Sequence, residues 1–259
     1  RVLGHKTVND YDPILMLDSF DSTNPDDYTA GFPLHPHRGI ETISYIYKGK
    51  MIHKDSLGNE DMIEDGEVQW MTAGSGILHE EKLPAVKQML GIQLWLNLSA
   101  KDKMVPPAYH SIKNHEIEEI IFENGKLRLL AGKYGDKKGY QSKYLPLDYY
   151  DIHLESNTSF TINTDREASV MLFLLSGNAY IGDVLVEEKT AVKLTEGDYV
   201  KIQADSGYTQ VLFISSTSLN EAISWGGPIV MNTKAELQQA FKDLEEGTFL
   251  KENINYEED

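Results

Sequence analysis

His35-Pro-His-Arg-Gly-Ile-Glu41 and, further on, Gly76-Ile-Leu-His-Glu-Glu81 are the stretches on which the reading of this chain turns. His35 and His37 stand two apart, as do His79 and Glu81. Along a β-strand, residues i and i+2 point to the same face. If both stretches are strands, three imidazoles and one carboxylate can converge on a point. That donor set leaves exchangeable positions on a six-coordinate ion. It suits redox iron or another first-row divalent metal rather than calcium. Gly31 and Gly39 flank the first stretch and Gly74 and Gly76 precede the second, where close backbone approach is needed.

Working outward, the chain is dominated by short alternating apolar runs. ETISYIYKG (41–49), GEVQWMTAG (66–74), LGIQLWLNL (90–98), MLFLLSGNAYIG (171–182), TAVKLTEGDYVKI (190–202) and TQVLFISS (209–216) all read as strands. Glycine turns punctuate them, which suggests an antiparallel sandwich or barrel. Two segments share one pattern: a strand, a glycine turn, a strand, a loop, then an acidic-Gly-acidic turn (Asp65-Gly66-Glu67; Glu196-Gly197-Asp198) into another strand. This reads as an internal duplication. Its copies differ where it matters. The second has Thr161 and Asn163 on its approach strand, and His153 there lacks a spaced partner. One copy is therefore expected to hold metal and the other not.

The charged, Pro- and Gly-bearing segment 99–140 reads as the connection, which divides the chain into units 1–135 and 136–259. Near the C-terminus, Thr233 and Glu236 form a capping-box pattern. Leu237, Ala240, Phe241 and Leu244 follow at helical spacing, and Gly247 is a natural stop, so a helix is expected over 234–246. The acidic tail from Glu252 is expected to fray.

The 259 residues suffice for a substantial core. With no cysteine, disulfides, thiolate metal sites and thiol nucleophiles are excluded. A formal net charge of −17 argues against direct nucleic-acid or anionic-membrane contact and permits a basic protein partner. No apolar run is long enough to span a bilayer. The start lacks a secretory core and an initiator Met, so residues are expected to be missing or processed there. A cytoplasmic monomer is the expectation.

HPHRGIETISYIYKG followed by DGEVQWMTAGSGILHEE resembles the N-terminal half of a pirin, a bicupin of the cupin superfamily. The resemblance extends to DPILMLDSF, GIQLWLNL and, near the end, GPIVMNTKAELQQAFKDLEEGTF. It implies an all-β chain of two antiparallel cupin (jelly-roll) barrels with a C-terminal helix, the N-terminal barrel metal-binding and the C-terminal one metal-free. The implied ligands are His35, His37, His79 and Glu81. The implied metal is Fe(II), with Mn, Co, Ni, Cu or Zn as alternatives. Several bacterial pirins show quercetin 2,3-dioxygenase activity, which implies an aromatic flavonol-like substrate and O2. The animal pirin is a redox-sensitive transcriptional cofactor, so an iron-dependent sensor without turnover is the alternative reading.

Glu41 shares the parity of His37 and could also reach inward; Glu81 is favoured as the ligand, which leaves Glu41 behind the ligands or hydrogen-bonded to a ligand imidazole. Glu81, as ligand or after leaving the metal, is the candidate catalytic base. Glu80 is expected in solvent. Phe32, Trp70, Met71, Gln93 and Trp95 are candidates for the pocket wall. Arg38 is expected to pair with Glu41 rather than to orient substrate. His53, His110 and His115 lie in polar stretches and are expected to be exposed, without a role.

Overall fold

The computed structural model describes residues 1–252; the acidic tail beyond Glu252 lies outside the described residues. Nine strands build the first half: β1 (Ile14–Ser22), β2 (Phe32–His37), β3 (Ile40–Lys48), β4 (Met51–Asp55), β5 (Glu60–Ile63), β6 (Glu67–Thr72), β7 (Ile77–Lys82), β8 (Met89–Asn97) and β9 (Ala108–Ile112). They form two antiparallel sheets, β1-β8-β3-β6-β9 and β2-β7-β4-β5. The second half repeats the plan. A six-stranded sheet is centred on Leu147–Leu154, Thr209–Ser216 and Ser169–Ser176, and a four-stranded sheet joins Ser159–Asn163, Tyr199–Ala204, Ala179–Ile181 and Val184–Val186. These are the expected two jelly-roll barrels.

The burial pattern explains the layers. Ile40 to Ile46 of β3 and all of β8 are buried on both faces. Such near-continuous burial marks strands covered on both sides. Thr42 and Ser44 of β3 turn into the first barrel. Ile43 and Tyr45 turn out of it and join one core with Tyr149, Phe173, Leu212 and Ile214 of the second half. The large sheets of the two barrels thus pack on each other and share apolar residues.

Sheet membership passes to the second half between Ile112 and Glu118. Glu118–Phe122 and Gly125–Ala131, on the near side of the expected division at residue 135, pair into the six-stranded sheet. Edge strands with one wet face carry the charged composition that reads as a linker. The C-terminal segment, expected with the second barrel, returns to the first. Ser224–Gly226 and Ile229–Met231 form a hairpin, Ile229 bridges to Arg38, and helix α1 (Lys234–Glu245) follows behind a capping box of Thr233 and Glu236. Gly39, at φ +78°, lies where this segment crosses. A Cβ there would stand 2.0 Å from the Val230 carbonyl oxygen, so only glycine fits.

Candidate metal centre

In the β2–β7 pairing, His35 lies directly opposite His79 and His37 opposite Ile77. Alternation turns all three imidazoles into the barrel. The Nε2 atoms of His35 and His37 stand 3.0 Å apart, and those of His35 and His79 3.1 Å. His35 Nδ1 is 2.8 Å from the Pro33 carbonyl and His37 Nδ1 2.9 Å from the Pro228 carbonyl. A carbonyl only accepts, so both Nδ1 atoms carry the proton and donate. In a neutral ring, Nε2 is then a bare lone pair. Burial, then the neighbouring His35, pulls His37 down to about 3, against a raising contribution from the Pro228 carbonyl. Burial, then His37, His35 and His53, holds His79 well below the ordinary range. His37 and His79 are thus held neutral, and the Nε2 atoms of both stand about 3 Å from His35 Nε2. A cation would satisfy nitrogens brought so close together.

The spacing also carries information about coordination number. Donors side by side on a six-coordinate ion with metal–nitrogen bonds of about 2.1 Å stand about 3.0 Å apart, against about 3.4 Å on a tetrahedral one. The two spacings from His35 fit the former.

Glu81 lies on β7 two residues beyond His79 and is buried. It accepts from Gln69 Nε2 at 2.5 Å and from Gln93 Nε2 at 2.9 Å. Its carboxylate groups within 4.8 Å with donor atoms of His79 and His53, whereas His35, His37 and His79 form a group of their own. The structure therefore brings the three expected histidines together and sets Glu81 beside them, behind two amide donors. Glu80 is half-buried, 3.4 Å from Lys82.

A pocket of about 320 Å³ opens onto His35 and His37. Phe32, Gln93 and Trp95 line it as expected. His5, Trp225, Gly227 and Pro228, from the two ends of the chain, complete it. His5 stacks on Trp225 with ring centroids 3.8 Å apart, and Trp225 lies 5.7 Å from Trp95. Arg1 pairs with Asp18 among the lining residues. No sequence signal places Trp225 or His5 at this mouth, because their approach depends on how the C-terminal hairpin docks.

Four expectations need correction. His53 is fully buried, not exposed. Met51-x-His53-x-Asp55 alternates strictly inward, and that period is the signal which polar composition concealed. Glu41 is no rival ligand: its Oε1 accepts from Thr72 and it shares a face with Ile43 and Tyr45, away from the barrel interior. The break at Gly39 resets strand parity, so counting through from His37 misleads. Burial raises the Glu41 carboxyl, although Thr72 and Trp70 act in the opposite sense. Arg38 ignores Glu41. It donates to Asp243 at 2.8 Å and to the Ser75 and Phe249 carbonyls at 2.6 and 2.7 Å, clamping α1 to the barrel. Trp70 lies in the shared core and Met71 in an apolar cluster with Trp95; neither lines the pocket. His110 and His115 are exposed, as expected.

Comparison with known proteins accords with this geometry. The family model described as Pirin matches residues 1–96, and that described as Pirin C-terminal cupin domain matches residues 149–250. A Pseudomonas aeruginosa protein provisionally named quercetin 2,3-dioxygenase is 37% identical over 257 residues, covering 95% of this chain and 90% of its own. The Homo sapiens protein named Pirin is 34% identical over 251 residues, covering 94% and 85%. The crystal structure of quercetin 2,3-dioxygenase from Acinetobacter baumannii has a TM-score of 0.87 at 34% identity, covering 96% of this chain and 90% of that one.

Proposed function

The chain belongs to the pirin family, and on that premise we propose that it is a metal-dependent dioxygenase, with iron as its metal, that opens a flavonol-like aromatic substrate with O2. The observation that carries this reading is the convergence of imidazole Nε2 atoms at the floor of an aromatic-walled pocket. A buried cluster with no cavity above it would suit a structural ion, and a sensor without turnover requires no such opening.

His35, His37 and His79 hold the metal, and Glu81 is the fourth donor. A bound redox-active divalent metal would supply Lewis acidity toward a substrate hydroxyl and an electron route to O2. Glu81 takes the proton of that hydroxyl, the role of a positioned carboxylate base. Gln69 and Gln93 donate to the carboxylate and fix where it stands. Trp95, Trp225 and Phe32 offer flat apolar surface to an aromatic ring and exclude water from it. The pocket volume lies at the lower end of the range for small-molecule sites. This favours a planar substrate that enters edgewise. No described helix is long and apolar enough to cross a membrane.

The test is metal content by elemental analysis after purification without added metal, then anaerobic Fe(II) loading and a quercetin assay that follows flavonol absorbance and O2 uptake together. Near-stoichiometric metal with coupled loss of both reactants is the expected result. Bound metal without turnover on a flavonol panel would shift the reading to the sensor. No metal even after loading would overturn the site.

A further inference from the structure

His53 is a buried histidine of the first barrel that the four ligands leave unexplained. It lies on β4 opposite Glu81, and its strand neighbour Asp55 lies opposite His79. Both are buried among the ligand-bearing residues. A polar ring so placed costs free energy unless each nitrogen is used.

For uncharged imidazole rings, the hydrogen bonds leave one consistent assignment of protons. Asp55 receives the backbone N–H groups of Leu57 and Asn59 and the Asn59 amide, so every contact made to it is a donor. It therefore accepts from His53 Nε2, 2.8 Å away. With its one proton on Nε2, an uncharged His53 ring presents a lone pair at Nδ1. That atom faces His79 Nδ1 at 3.4 Å, so His79 supplies the proton of this contact. A neutral His79 protonated at Nδ1 has its Nε2 lone pair free, and Nε2 is the atom aimed at His35. The Tyr109 ring stacks on His53 at 4.2 Å and 14°, which holds the imidazole plane.

We propose that Asp55 and His53 form a positioning relay that fixes the Nδ1–H tautomer of His79 and so presents its Nε2 to the metal. The proposal rests on the reading of His35, His37 and His79 as ligands. His35 and His37 obtain the same tautomer from backbone carbonyls. For His79 that task falls to a side chain, which makes it open to substitution. His53 is thus a positioning residue and not a ligand, although its donor atom also groups with those of His79 and Glu81. A lone pair committed to the His79 N–H is not available to a metal.

Co(II) binding to the full chain provides the test. Wild-type protein loaded with Co(II) should show three solvent-exchangeable, hyperfine-shifted proton resonances in water, one for each ligand Nδ1–H. His53→Phe keeps an aromatic ring against Tyr109 and removes the acceptor. It should lose or broaden one of the three and weaken Co(II) binding by roughly 10- to 100-fold. His53→Gln, whose carbonyl can accept from His79, should recover most of that affinity, and the Co(II) visible bands should keep their wild-type positions. Wild-type affinity with three intact resonances in His53→Phe would overturn the relay. Equal weakening in His53→Phe and His53→Gln would also overturn it, by showing that only packing matters. Displaced visible bands in His53→Gln would make His53 a ligand and overturn it a third way. Failure of the wild-type protein to bind Co(II) would instead remove the metal site on which the relay rests.

Discussion

The two barrels share a plan and differ in what fills them. In the first, the pairing of the small sheet sets His35 opposite His79 and His53 opposite Glu81. In the second, the corresponding strands set Phe160 opposite Ile202 and Ile162 opposite Val200. Ile162, Val200 and Ile202 belong to one apolar cluster with Ala179, Leu172 and Phe213. Thr161 and Asn163, which stand nearest the expected metal positions in sequence, face solvent. The lesson is that the jelly roll is indifferent to its contents. An aliphatic interior contributes stability by itself. An imidazole interior needs partners for its nitrogens, and a cation would satisfy those that converge in the first barrel. His153 fits the same view. It is buried, but its Nε2 donates to Asp151 at 2.8 Å and its other nitrogen meets the Tyr208 hydroxyl, so it serves the contact region between the barrels and no metal.

Several substitutions would break or sharpen this contrast. The largest effect is expected from His79→Ala, which should reduce metal content from near one per chain to background in elemental analysis and make the first barrel like the second. Glu81→Gln, in metal-saturated protein, should lower kcat for flavonol loss by roughly 10²- to 10⁴-fold, the usual worth of a positioned base. Unchanged turnover would sink the base assignment.

Arg38→Ala tests whether the C-terminal segment belongs energetically to the metal barrel. It leaves Asp243 with Gln239 and Lys251 as its remaining donors and the Ser75 and Phe249 carbonyls without theirs, and should cost about 2–3 kcal/mol in urea unfolding. A loss below 1 kcal/mol would mean that the clamp is incidental. In metal-free protein the sign should reverse at the site itself. His35→Leu should raise stability by about 1 kcal/mol, because it removes one of the opposed lone pairs. A lower Tm for that variant would contradict the lone-pair argument.

The smallest effect concerns pH. Bonds from Gln239 and Arg38 hold the Asp243 carboxyl down to about 2. A folded pKa below the unfolded value of about 3.9 stabilises the fold above that value, and the contribution is lost as pH falls from about 4 to about 2. Across that window the wild-type urea midpoint should fall more steeply than that of Asp243→Asn. Parallel curves would refute the assignment.

Much of this was legible in the sequence, and the misreadings have specific causes. The strands, the duplication, the helix start at Thr233 and the convergence of His35, His37 and His79 follow from local periodicity. His53 is equally legible, since Met51, His53 and Asp55 alternate inward, but its polar neighbours point to exposure. Glu41 failed because parity does not carry across the positive φ of Gly39. Arg38 failed because its partner, Asp243, is separated from it by nearly the whole chain.

By itself the sequence determined the chemistry available: three imidazoles and a carboxylate at strand spacing, in a chain without thiols, repeated as a plan but not as a site. Spacing of two residues fixes a shared face wherever a strand forms, whatever surrounds it. Only the tertiary structure decided the proton positions and the access. The Pro228 carbonyl that orients His37, the His53 ring that meets His79 and the Trp225 wall of the pocket all come from other strands or from the far end of the chain. Hydrogen bonds depend on distances of a few tenths of an ångström, and contacts so distant in sequence take those values only when the whole fold has closed.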